Sequence, residues 1–165
     1  MAKITLKGNP VNTFGELPVK GSKAPGFKLV KGDLGELTLD ELKGKKVILN
    51  ISPSLDTGIC ATALRKFNQL AAAMDNTVVL AITRDLPFAQ SRFCSTEGIT
   101  NVTTLSGFRN HSFGKDYGIE IVDGGFAGLY ARSIVVIDEQ GLVKYTELVP
   151  EIAQEPDYDR ALAAL

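Results

Sequence analysis

Residues 51–60 read ISPSLDTGIC. The stretch closes an apolar, β-branched run over Lys46–Ser52 and turns abruptly polar, with Pro53 at the break. Such a run predicts a strand covered on both faces. Beyond the stretch, Ala61–Met74 sets Leu64, Phe67, Ala71 and Met74 three or four positions apart, the apolar face of a helix. Asp75 and Asn76 end that helix, and Thr77–Thr83 is a second apolar run. Strand, helix and strand in this order predict a βαβ unit, whose parallel strands are joined by a right-handed crossover. Cys60, the first of only two cysteines, falls where the first strand gives way to the helix.

On the N-terminal side, residues 3–7 and 11–14 are short β-like pieces about the turn cluster Gly8-Asn9-Pro10, which predicts a hairpin. Residues 15–26 read as a Gly- and Pro-rich connector, Phe27–Val30 as a strand, and Thr38–Lys43 as a short capped helix stopped at Gly44. On the C-terminal side, a helix is predicted over Pro87–Cys94, a strand over Val102–Leu105 and a weak helix over Asn110–Tyr117. Ser133–Asp138 and Leu142–Leu148 about Glu139-Gln140-Gly141 read as a hairpin, and Glu155–Leu165 as a closing helix. The order predicts one α/β domain over residues 1–165, thioredoxin-like, with a central mixed β-sheet flanked by helices. Residues 1–16 are expected to form an N-terminal β-hairpin extension.

A chain of 165 residues buries roughly 70% of the surface its unfolded form exposes, so its core needs neither metal nor disulfide. The net charge of −1, with no run of five like charges, argues against a nucleic-acid or anionic-membrane surface. No apolar stretch reaches the roughly 20 residues of a membrane span. Residues 1–8 lack a long apolar segment, which makes a cytoplasmic location the expectation. With a single histidine, His111, and cysteines 34 positions apart, neither a zinc site of the usual donors nor a C-x-x-C motif is present.

Cys60 itself suggests chemistry. Sulfur reacts as thiolate, and the unpaired N–H groups and positive dipole end of a helix N-terminus favour that anion. A helix starting between Thr57 and Cys60 puts the thiol in its first turn. Thr57, about one turn earlier, then presents a hydroxyl to the same side, and Gly58 allows close approach of the backbone. Each feature has a plainer explanation: cysteine is a common core residue, Pro53 stops a strand, and Thr57 caps a helix. A structural Cys60–Cys94 bond is a further alternative in an oxidising compartment.

Together, Pro53-Ser-Leu-Asp-Thr57-Gly-Ile-Cys60 matches P-x-x-x-T-x-x-C, the active-site motif of peroxiredoxins. Longer stretches resemble one branch of that family, the bacterial thiol peroxidases, which are atypical two-cysteine peroxiredoxins. These are LNISPSLDTGICATALRKFNQL, DLPFAQSRFC, TLSGFRN, ARSIVVIDEQG and EPDYDRALAAL, in order from about Gly8 to the last residue. The resemblance implies that Cys60 is the peroxidatic cysteine, attacking a hydroperoxide and becoming a sulfenic acid. It places the family's threonine on Thr57, its shielding proline on Pro53 and its arginine on Arg132. Arg132 opens a predicted strand whose start would lie beside the Cys60 turn, where a guanidinium favours thiolate and stabilises charge on the peroxide oxygens. Cys94 takes the place of the resolving cysteine, forming an intramolecular disulfide with Cys60 that thioredoxin reduces. A disulfide needs Cα atoms roughly 4.4–6.8 Å apart. If both cysteines sit in ordered helices, each segment must partly unwind in every cycle. The family also implies a homodimer, no metal and no organic cofactor.

Two positions depart from the family's common pattern: Ser52 stands where a Phe often precedes the proline, and Ala81 where the second core strand often has a cysteine. Phe88, Phe93, Phe108 and Phe126 are candidates for an apolar hydroperoxide pocket or a dimer seam, besides core packing. His111 beside Asn110 reads as a solvated residue, with a Cys–His acyl-transfer pair as the rival. Gly124–Gly128 lacks the ending of a phosphate loop and reads as a flexible loop. Two other functions remain open from the residues alone: a disulfide oxidoreductase acting on proteins, and a binding module with a structural disulfide.

Overall fold

The computed structural model describes all residues, 1–165. The apolar run becomes β5 (Lys46–Ile51) and its partner β6 (Thr77–Thr83), parallel in register from Lys46↔Thr77 to Ile51↔Ile82. Between them α1 (Gly58–Ala71) makes the crossover. β7 (Thr103–Ser106) continues the parallel set beside β6. β8 (Ser133–Ile137) runs antiparallel to β5 on the other side, and β9 (Val143–Leu148) closes that edge. β3 (Lys28–Lys31) and β4 (Glu36–Thr38) extend the far edge, giving the seven-stranded order β4-β3-β7-β6-β5-β8-β9. The chain thus has the mixed central sheet expected of a thioredoxin-like domain.

Alternation along β5 divides the core. Val47, Leu49 and Ile51 face a cluster that includes Leu29, Phe113, Tyr117 and Tyr130. Ile48 faces a second cluster with Leu64 and Phe67 of α1. Burying side chains such as Leu64 and Phe67 contributes about 1.5–3 kcal/mol each, so the apolar stripe holds α1 on the sheet. The stripe's later members, Ala71 and Met74, pack on the same cluster while half-buried. α2 (Pro87–Glu97) lies between β6 and β7 in the chain. α3 (Phe113–Asp116) is a single turn, and α4 (Tyr158–Ala163) closes the chain.

The N-terminal hairpin, β1 (Lys3–Leu6) with β2 (Asn9–Asn12), has a different turn from the one the composition suggests. Lys7 and Gly8 form it, at φ +51° and +81°. Two left-handed residues match the twist of paired strands, so the hairpin closes here. Pro10 sits in β2 opposite Thr5, which turns its own N–H outward to the Pro150 carbonyl, so the N–H that Pro10 lacks falls on the outer edge of β2 and costs the hairpin no bond. Ile4 and Val11 are buried in the main core cluster, so the extension is packed, not loose. Other boundaries also moved. α1 starts at Gly58, within the Thr57–Cys60 range expected for its first turn and three residues before the apolar pattern, and it ends at Ala71 rather than Met74. α2 runs past Cys94 to Glu97, ending at Gly98 in the left-handed conformation. The segment around Leu39–Leu42 is one 3-10 turn, with Thr38 and Glu41 forming a capping box. β4 has no clear signature of its own in the sequence.

Gly118 has φ +71°, and an added Cβ would lie 2.1 Å from the Glu16 carbonyl oxygen. Because this clash is with backbone, no side-chain rotation relieves it. Gly118→Ala is expected to lower unfolding free energy by about 2–4 kcal/mol. Urea titration followed by circular dichroism measures it, and a loss below about 0.5 kcal/mol contradicts the close approach.

Candidate active site

The C-terminal ends of β5 and β6 and the start of β8 meet at one edge. Ile51 pairs with Ser133 on one side and Ile82 on the other. Ser52 and Pro53, both buried, continue β5 into the turn that leads to α1. Arg132, immediately before β8, is therefore delivered to the same edge. Thr57 is the N-cap of α1 and has extended backbone angles. Its carbonyl accepts the Ala61 N–H at 3.0 Å, and its hydroxyl donates to the Ser54 carbonyl at 3.1 Å. Cys60 is the third residue of α1, within the turn whose N–H groups lack intrahelical partners. Its side chain is 1% exposed and its sulfur is a free thiol.

Arg132 is also only 1% exposed. Its Nε donates to the Ile152 carbonyl at 2.9 Å, and its Nη1 has no hydrogen-bond partner within the chain. A buried cation with unspent donors is costly unless an anion or strong acceptor meets it. Thr57, Gly58, Ile59 and Arg132 line one cavity of about 240 Å³, together with Phe126 and Ile152. The structure thus brings Thr57 and Arg132 to one space beside the turn that carries Cys60. Pro53 is buried beneath that turn and does not line the cavity.

Cys94 lies apart, as the eighth residue of α2, half-buried and also a free thiol. Its carbonyl accepts both the Gly98 and Ile99 N–H groups, tying it to the helix end. Burial pushes its thiol up, and the Thr104 side chain opposes part of that rise. Between α1 and α2 runs a groove of about 440 Å³ lined by Thr57, Gly58, Arg92 and Phe93. The two cysteine-bearing helices are both intact, and no disulfide joins them. Of the four phenylalanines, Phe126 lines the Arg132 cavity and Phe93 the groove. Phe88 is 67% exposed and Phe108 is exposed as well. His111 is an exposed residue in a bend, and lines neither space.

Two carboxylates that sequence reasoning passed over fasten this edge. Asp85 accepts hydrogen bonds from the Ser54 hydroxyl at 2.7 Å and the Leu55 N–H at 2.8 Å, gripping the turn before Cys60. Glu151 accepts from the N–H groups of Gly8 at 2.8 Å and Ala153 at 2.9 Å, and from the Thr5 hydroxyl at 3.1 Å. It thereby clamps the N-terminal hairpin onto the segment whose Ile152 carbonyl holds Arg132. Leu6 and Lys7 from the hairpin accordingly complete the cavity wall. Only sequence distance hides these contacts: 143 residues separate Gly8 from Glu151.

Residues 19–162 match the Redoxin family. The chain is 60% identical over 165 residues to the thiol peroxidase of Mycobacterium tuberculosis, covering all of this chain and 99% of that protein. It is 54% identical over the same coverage to the thiol peroxidase of Corynebacterium glutamicum. Among solved structures, a peroxiredoxin-like protein from Aquifex aeolicus superposes with a TM-score of 0.93 at 40% identity, covering 99% of this chain and 95% of that one. The chain belongs to the Redoxin family and, within it, to the thiol peroxidases, a class of peroxidase oxidoreductases. No helix is long and apolar enough to cross a membrane.

Backbone N–H donors hold the Glu151 carboxyl below its ordinary value, those of Ala153 and Gly8 foremost. Because the folded value lies under the unfolded one of about 4.3, the clamp contributes fully above that pH and fades as pH falls through the lower folded value. Hydrogen exchange at the Gly8 amide is expected to quicken over that acidic range before the sheet amides do. Glu151→Gln is expected to produce the same loosening at neutral pH, and unchanged exchange in that variant contradicts the clamp.

Proposed function

We propose that this protein reduces hydrogen peroxide and organic hydroperoxides through Cys60, resolves the product with Cys94, and is recycled by a dithiol protein of the thioredoxin kind. The observation that carries the reading is the almost fully buried Arg132, with an unpaired Nη1, lining one cavity with Thr57 beside the Cys60 turn. In the first step the Cys60 thiolate attacks the terminal oxygen of ROOH. An S–O bond forms as the O–O bond breaks, leaving Cys60–SOH, and the departing RO⁻ takes a proton to become alcohol or water. Arg132 stabilises negative charge spreading over the two peroxide oxygens, and the Thr57 hydroxyl holds the peroxide in line. Pro53 keeps water from beneath the turn. Water-poor surroundings strengthen both contacts.

In the second step the Cys94 thiolate attacks the Cys60 sulfur, forming S–S and releasing hydroxide, which is protonated to water. The raised Cys94 thiol and the intact helices make this step unfavourable in the closed arrangement, so α1 and α2 open locally before it. The external dithiol then reduces the disulfide and is itself oxidised. This reading includes a cytoplasmic location, where such a disulfide is transient. It also includes a homodimer, with no metal or organic cofactor. The exposed Leu86, Phe88 and Phe108 support an apolar seam between copies. Thr83 and Ser106 are paired, so the segments carrying these side chains leave the sheet at one edge.

Variant kinetics with stopped-flow mixing test the assignment. Cys60→Ser is expected to lose all reaction with peroxide. Cys94→Ser is expected to consume one equivalent and then stop turning over with thioredoxin. Arg132→Gln is expected to slow the first step by about 10²–10³-fold while leaving thiol alkylation of the unfolded chain unchanged. Full peroxidase turnover in Cys60→Ser sinks the proposal, and peroxide inertness of the wild type favours a binding module instead.

A further inference from the structure

The grip of Asp85 on the Cys60 turn is one end of a longer chain of contacts. Asp85 stands between the end of β6 and Leu86–Pro87, where α2 starts. Its Oδ1 accepts from the Ser54 hydroxyl, and its Oδ2 accepts from the Leu55 N–H and, at 2.9 Å, from the Thr83 hydroxyl. The Thr83 oxygen, fully buried, accepts the Asp85 N–H at 3.1 Å and the Gln90 Nε2 at 3.0 Å. One donor and two acceptor sites are all a hydroxyl has, so Thr83 is saturated. Gln90, also fully buried, spends its other Nε2 proton on the Leu105 carbonyl at 2.9 Å. Gln90 precedes Cys94 by four residues on α2, one turn along the same face.

An unbroken hydrogen-bond path therefore runs from the turn before Cys60, through Asp85 and Thr83, to the helix face carrying Cys94. We propose that this path is a latch that makes the two cysteine-bearing segments open together, with Asp85 and Gln90 as positioning residues for the disulfide-forming step. The proposal rests on the roles assigned above to Cys60 and Cys94. Its physical basis is that a buried donor or acceptor is costly to leave unpaired. When the Cys60 turn withdraws, Asp85 loses two of its three donors, and the contacts that pin Gln90 through Thr83 weaken with it. Closed, the latch keeps Cys60 in the peroxide-reactive turn and Cys94 half-buried in its helix. The same latch thus sets how long the sulfenic acid stays exposed to a second peroxide, which would carry it to sulfinic acid. Loss of a network that merely stapled two loops to the sheet would lower global stability without linking their openings.

The test compares the wild type with Asp85→Asn, Gln90→Met and the double variant. In the reduced proteins, hydrogen exchange of the Phe93–Glu97 amides is expected to quicken about tenfold in Asp85→Asn, although the substitution lies outside α2. After one equivalent of hydrogen peroxide, Asp85→Asn is expected to form the Cys60–Cys94 disulfide about tenfold faster than the wild type. It should also need several-fold more peroxide before sulfinic acid is detected by mass spectrometry. Gln90→Met is expected to shift both readouts in the same direction, and the double variant by less than the product of the two. If either single variant unfolds, Ser54→Ala, which removes one contact, is expected to give a smaller shift of the same sign. Faster exchange confined to residues 54–60, an unchanged or slower disulfide step, or simple multiplication in the double variant overturns the latch. A wild type that forms no such disulfide refutes the assigned cysteine roles instead, while the exchange measurement still decides whether the segments are coupled.

Discussion

A guanidinium almost removed from water governs this molecule. Arg132 keeps one firm contact, from its Nε to the Ile152 carbonyl, leaves Nη1 unpaired, and lines a small cavity. Such a group is stable only where the surrounding fold over-determines it. Here β8 anchors one side, through the pairing of Ser133 with Ile51 and Leu148. The Glu151 clamp and the N-terminal hairpin hold the other. What looks like an appendage in the chain is therefore part of the support for the site.

The cavity also fits the roles proposed for the two helices. The first turn of α1 offers unpaired N–H groups toward an edge already occupied by a cation, so negative charge at that spot is met from two directions. α2 presents no comparable field. Its hydrophobic face is weak, its cysteine is half-buried among core side chains, and its start is bound to β6 and β7 by polar contacts. A helix held mainly by hydrogen bonds at one end, rather than by a deep apolar stripe, belongs to the part of a fold that opens at low cost.

Much of this was legible in the chain. The β-branched run ending at Ile51, the Leu64–Phe67 spacing and the second run at Thr77–Thr83 have periodicities that leave little choice but a βαβ unit. The break at Pro53 and the seven-residue spacing to Cys60 carried the resemblance to peroxiredoxins. Arg132 came from that resemblance alone, because nothing in its neighbourhood separates it from the other arginines. Asp85 and Glu151 were not legible at all. Each is one carboxylate among many until the fold brings Ser54 or Gly8 to it.

By itself the sequence determined most of the local elements and the break that sets Cys60 in a first helical turn, since periodicity and the strand-to-helix break act over a few residues. Tertiary structure alone decided which distant groups close the site: the hairpin wall, the Glu151 clamp, the Asp85 grip and the burial of Arg132. These depend on the order of strands in the sheet, which local propensity does not encode, and on polar groups finding partners after water is expelled.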